Sequence, residues 1–196
     1  MHDGKHIMLY FGSFNPIHKA HIAIAEYVVS RGLADMVVLV VSPQNPFKEP
    51  EGLAPEFSRF EMAEMAAAAS AYPGRIQVSA VEMTLPKPSY TINTLRFLAT
   101  EFPDARFSIL MGGDNVENLS RWRDADEILA GYDIYVYPRP GEKIAAAGSR
   151  MTVLKDAPLF DISSTEVREA VARGENIDGM VPMEVADYIH ENRLWS

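Results

Sequence analysis

The chain has 196 residues, 47% hydrophobic and 23% charged, which is enough for one substantial core of ordinary globular composition. It contains no cysteine, so disulfides, thiolate metal sites and cysteine nucleophiles are excluded. A net charge of −9 argues against a nucleic-acid face, no apolar run reaches membrane-spanning length, and the N-terminus lacks a cleavable leader pattern, so a cytoplasmic protein without nucleic-acid or membrane partners is expected.

The first apolar run, Ile7 to Phe11, reads as a buried strand and leads into Gly12-Ser13-Phe14-Asn15-Pro16. Asn15 is a favoured N-cap and Pro16 suits a first helical position, predicting a helix from Ile17 to Arg31 with Gly32 as its stop. His18 and His21 then share one face of its first turns, at an end that attracts anions. Met36 to Val41 reads as a strand covered on both faces, and a proline-rich loop runs from Ser42 to Pro55. A helix over Glu56–Tyr72, a strand over Arg75–Val81 and a loop over Pro86–Thr91 follow. Next come a helix over Ile92–Phe102, a strand over Phe107–Met111 and a turn over Gly112–Asn115. A helix over Asp124–Leu129, strands over Ile134–Tyr137 and Met151–Leu154, and helices over Ser164–Arg173 and Pro182–Asn192 complete the pattern. The alternation predicts an α/β, Rossmann-like, doubly wound parallel sheet in a single domain, with a small helical C-terminal portion from about 162 to 196. In such sheets ligands bind beyond the carboxyl ends of the strands, where every special loop here falls.

Several residues could carry chemistry. His18 and His21 have no third histidine or cysteine at a metal-binding spacing, so no protein-held metal is expected. Lys48, in Pro43-Gln44-Asn45-Pro46-Phe47-Lys48, is either a solvated cation or a phosphate partner. Ser163-Ser164-Thr165-Glu166 has the form of a capping box, with Arg168 early in its helix. The macrodipole disfavours a cation there unless an anion shares that end. Asp114 is either a ribose partner or a turn residue, and Trp122 either stacks on a planar ring or packs in the core. Without a Gly-x-Gly-x-x-Gly fingerprint, Walker loop or nucleophile elbow, two phosphate-grade helix ends suggest direct phosphoryl or nucleotidyl transfer between bound substrates.

Gly12 to His21 and Ile162 to Arg168 resemble the two signatures of the HxxH nucleotidyltransferase superfamily. Pro43 to Lys48, Pro88-Ser89-Tyr90-Thr91, Met111 to Asn115, Trp122, Arg139-Pro140-Gly141 and Val181 to Ile189 narrow the resemblance to nicotinate-nucleotide adenylyltransferases. Phe11 stands where that family usually has a small residue, and Ala20 where glycine is more frequent. The resemblance implies transfer of adenylyl from ATP to nicotinate mononucleotide, giving deamido-NAD and pyrophosphate, with Mg²⁺ brought mainly by the ATP phosphates. It implies catalytic roles for His18, His21, Lys48 and Arg168. ATP contacts would come from Gly12, Ser13, Phe14, Asp114, Ser163 and Ser164 together with both histidines and Arg168. Asn45, Lys48, Tyr90, Thr91 and Trp122 would frame the mononucleotide.

Two kinds of alternative stay open at this level. A sister enzyme could use nicotinamide mononucleotide, phosphopantetheine or a cytidylyl-transfer substrate, or the chain could be a nucleotide-binding regulator without turnover. Homo-oligomerisation is also left open.

Overall fold

The computed structural model describes residues 4–43, 52–141, 144 and 148–196. Six strands form one parallel sheet in the order β3-β2-β1-β4-β5-β6. They are β1 (His6–Gly12), β2 (Met36–Val41), β3 (Ile76–Ser79), β4 (Arg106–Gly112), β5 (Asp133–Tyr137) and β6 (Met151–Val153). The helices are α1 (Lys19–Ser30), α2 (Glu56–Ala68), α3 (Val81–Thr84), α4 (Thr91–Glu101), α5 (Ala125–Gly131), α6 (Ser164–Ala172) and α7 (Met183–Glu191).

Strand alternation divides the core into two layers. Met8 and Tyr10 of β1 face a cluster that includes Ile24 and Val28 of α1, Met62 and Ala66 of α2, Val167 of α6 and Val185 of α7. Ile7 and Leu9 face the opposite side, with Ile92 and Leu95 of α4 and Ile128 of α5. The chain winds outward from β1 to β3, then crosses to β4 on β1's other side. The carboxyl ends of β1 and β4 therefore flank the switch point where a doubly wound sheet opens a crevice.

The structure corrects several element boundaries. Helix α1 begins at Lys19, with the N-cap at His18 in extended backbone (φ −141°, ψ 170°) rather than at Asn15. Helix α2 stops at Ala68, before Tyr72-Pro73-Gly74, because the chain must turn into β3. Val81, expected at the end of a strand, starts the short helix α3. The Gly112–Asn115 turn includes one turn of 3₁₀ helix over Gly113–Asn115, and a second covers Leu119–Arg121. Among the described residues no helix is long and apolar enough to cross a membrane.

Candidate active site

At the end of β1 the chain turns through Ser13 and Phe14, and Phe14 takes a positive φ of 44°. Its ring folds back beneath Gly12, where a Cβ would lie 2.9 Å from Phe14 Cζ, so the turn needs glycine for close approach. The Phe14 ring meets His21 edge-on at 5.1 Å and Tyr10 edge-on at 5.6 Å, forming an aromatic floor under the imidazole. The Tyr10 hydroxyl is hydrogen-bonded to that of Tyr137 on β5 at 2.6 Å, fixing the floor to the sheet.

Asn15 does not cap the helix because its amide is engaged elsewhere. Its Nδ2 donates to the Gly52 carbonyl at 2.9 Å, and its Oδ1 accepts from Ala54 N–H at 2.9 Å. The chain therefore enters α1 through His18. His21, three residues on, accepts the His18 backbone N–H at Nδ1, 3.2 Å away. Such an acceptor role fixes the neutral tautomer with the proton on Nε2. The His18 and His21 rings stack, centroids 3.6 Å apart at 26°. His18 is only 6% exposed, and burial brings its imidazole from 6.5 down to about 4. Its Nδ1 is buried without a hydrogen-bond partner among the described residues. The pair that the spacing predicted is thus assembled, but as a cap and a third helical residue, and His18 is uncharged at neutral pH.

The second helix end is α6. Ser163 caps it by accepting Glu166 N–H at Oγ (3.2 Å), while Glu166 Oε2 accepts Ser163 N–H at 2.7 Å, the predicted capping box. The Ser163 hydroxyl also donates to Glu166 Oε2 at 2.7 Å, and this bond with that of the Ser163 N–H holds the Glu166 carboxyl below its ordinary range. Ser164 Oγ donates to the Pro16 carbonyl at 2.9 Å, and Arg168 Nη1 donates to the Asn15 carbonyl at 2.8 Å. The first two turns of α6 are therefore bonded to the turn that leads into α1, across up to 153 residues of sequence, with the Arg168 guanidinium at the junction.

At the end of β4, a Cβ on Gly112 would lie 2.5 Å from Asp114 Oδ1 and 3.2 Å from the Tyr137 ring. Asp114 pairs with Arg139 at 3.1 Å. Tyr90 caps α4, Thr91 is its first residue, and the Arg123 guanidinium lies 4.8 Å over the Tyr90 ring. Trp122, half-buried, stands beside them. Buried Glu82 accepts the Thr94 hydroxyl at 2.8 Å, and burial pushes its carboxyl upward.

One cavity of about 470 Å³ is lined by Gly12, Ser13, Phe14, His18, His21, Asp114, Ser163, Ser164 and Arg168 and also by Tyr90, Thr91 and Trp122. That volume suits a small ligand. Lys48 and Asn45 lie outside the described residues. Phe11 lines the cavity and packs against the α4 layer. Sequence reasoning overlooked Tyr10, Glu82, Tyr137 and Arg59, although Arg59 carried a visible signal. It occupies the apolar stripe of α2, three and four residues before Met62 and Ala63.

Residues 9–170 match the family model described as cytidylyltransferase-like. The chain is 39% identical over 191 residues to a Cytophaga hutchinsonii protein named "Probable nicotinate-nucleotide adenylyltransferase", covering 97% of this chain and 98% of the relative. It is 41% identical over 170 residues to a Bacteroides fragilis protein of the same name, covering 86% and 83%. The fold is similar to that of Plasmodium falciparum nicotinic acid mononucleotide adenylyltransferase complexed with NaAD, with a TM-score of 0.82, 18% identity and 97% of each chain covered. With its sheet order, its family-model match over residues 9–170 and 39% identity across 97% of its length to such a relative, the chain belongs to the cytidylyltransferase-like family and, within it, to the nicotinate-nucleotide adenylyltransferases.

Proposed function

We propose that the cavity transfers the adenylyl group of ATP to the 5′-phosphate of nicotinate mononucleotide, releasing pyrophosphate and forming deamido-NAD. The observation that carries this reading is the joining of two helix N-termini, α1 with its stacked imidazoles and α6 with Arg168, in one cavity with an aromatic wall. The mononucleotide phosphate attacks the α-phosphorus in line as the bond to the bridging oxygen of pyrophosphate breaks. No covalent enzyme intermediate is required, so positioning and charge stabilisation supply the acceleration.

His21, with its proton on Nε2, donates to a phosphate oxygen as negative charge develops. His18, uncharged, packs against it, so the positive field comes from helix amides and guanidinium rather than an imidazolium. Gly12, Ser13 and Phe14 let the backbone approach the triphosphate. Ser163, Ser164 and Arg168 hold the departing pyrophosphate, and Asp114 faces ribose. Trp122 and Tyr90 frame the pyridine ring, and the first-turn amides of α4 at Thr91 take its carboxylate, since a helix N-terminus favours an anion over a neutral amide. Asn45 and Lys48 are assigned to the mononucleotide side by the resemblance alone.

Among the described residues no group of three or more His, Cys, Asp or Glu side chains could hold a metal. Asp114 already pairs with Arg139. In this reading Mg²⁺ would arrive on the ATP phosphates, where it would neutralise their charge.

The test is pyrophosphate release from ATP, followed separately with nicotinate mononucleotide, nicotinamide mononucleotide and phosphopantetheine. Rapid release with the acid and a much lower kcat/KM with the others is expected. Preference for the amide or for phosphopantetheine would overturn the acceptor assignment. No release with any acceptor would leave a nucleotide-binding regulator.

A further inference from the structure

Among the described residues Arg59 is the largest fully buried side chain, at 0% exposure. It sits in the first turn of α2, where the macrodipole opposes a cation, and a buried guanidinium is costly unless every donor is used. Its hydrogen bonds go to main-chain carbonyls: Nε to Ala54 at 3.0 Å, Nη1 to Ser13 at 2.6 Å and Ser42 at 2.7 Å, and Nη2 to Pro43 at 3.0 Å. Ser13 follows β1, Ser42 follows β2, and Ala54 precedes α2, so one planar fork ties the ends of two adjacent strands to the start of a helix.

The bond to Ser13 has a directional consequence. In a trans peptide the carbonyl and the next residue's N–H point in opposite directions. The Ser13–Phe14 bond is not among the cis peptides of the chain. With the Ser13 carbonyl turned inward to Arg59, the Phe14 N–H is turned outward, on the turn that lines the cavity and whose ring supports His21.

We propose that Arg59 is a positioning residue of the phosphate site: its grip on the Ser13 carbonyl aims the Phe14 amide at the triphosphate and keeps the floor under His21 in register. Burial lowers its guanidinium only to about 10, so it also stays charged behind the turn at neutral pH. The inference rests on the adenylyl-transfer reading and deepens it.

The experiment uses the full chain with Arg59→Lys, which keeps the charge but not the fork, and Arg59→Gln, which keeps part of the fork without the charge. Folding is followed by circular dichroism and Tm, turnover by pyrophosphate release, and site geometry by calorimetric binding of inorganic pyrophosphate. For a folded variant, kcat is expected to fall about tenfold or more and pyrophosphate binding to weaken several-fold, while KM for the mononucleotide changes little. Folded variants with kcat and pyrophosphate affinity within about twofold of wild type would overturn the proposal. Failure of both variants to fold would also overturn it, since Arg59 would then be a structural residue only. Absent turnover by the wild-type protein would instead sink the adenylyl-transfer reading, with pyrophosphate binding still reporting on Arg59.

Discussion

His21 Nδ1 accepts the backbone N–H of His18 at 3.2 Å, and the two rings stack with centroids 3.6 Å apart. A single backbone bond thus decides which nitrogen of His21 carries the proton. In the adenylyl-transfer reading Nε2–H is then the donor offered to a phosphate oxygen, from a ring that need not be charged.

His21→Ala removes that donor while leaving a half-buried helix position filled by a good helix former. Turnover is expected to fall by about 100-fold or more with the fold kept, and stability to fall only by the lost cap bond and ring contacts, about 1–2 kcal/mol. Steady-state pyrophosphate release beside a melting curve checks this, and a loss below about threefold would remove His21 from its role.

His18 makes acid stability a readout of its burial. Its folded value, about 4, lies below the ordinary 6.5, so between those limits the unfolded chain binds a proton that the folded chain refuses. Stability therefore falls as the pH drops from 6.5 to 4, by up to about 3 kcal/mol for this one group. His6, also lowered by burial, acts in the same direction. His18→Asn keeps a good N-cap residue and should flatten the His18 part of the slope. Denaturation midpoints across that range measure it, and an unchanged slope would contradict the burial argument.

The two close-approach glycines should fail differently. In Gly12→Ala the new methyl group meets the Phe14 ring at 2.9 Å and pushes the support of His21. A loss of about 1–3 kcal/mol in stability is expected, with kcat reduced more than binding of the mononucleotide. In Gly112→Ala the clash is with Asp114 Oδ1 at 2.5 Å, so KM for ATP should rise through the ribose side. Kinetics that respond identically in both variants would refute this division.

Trp122→Ala should raise KM for nicotinate mononucleotide by about fivefold, in line with a ring stack of roughly 1 kcal/mol, and leave KM for ATP close to wild type. An unaltered mononucleotide KM would exclude stacking.

Much of the fold was legible in the chain. The unbroken apolar run Met36 to Val41 reads as a parallel strand covered on both faces, and it pairs in parallel with β1 and β3. Ser163 and Glu166 announced their capping box because its partners are three residues apart, within reach of any helix start. The first helix start was misread because Asn15 has the chemistry of a cap, and nothing nearby in sequence reveals that Gly52 and Ala54 claim its amide.

The residue types and short spacings of the chain by themselves determined the βα alternation, the two anion-attracting helix ends and the acid–imidazole–guanidinium inventory, because these depend on interactions within one or two turns. Tertiary structure alone decided that Arg168 meets Asn15, that Arg59 grips Ser13 and Ser42, and that His18 is buried enough to stay neutral. Those outcomes depend on which distant carbonyls and apolar surfaces the sheet brings together, and burial and long-range hydrogen bonding are set by that assembly rather than by any local pattern.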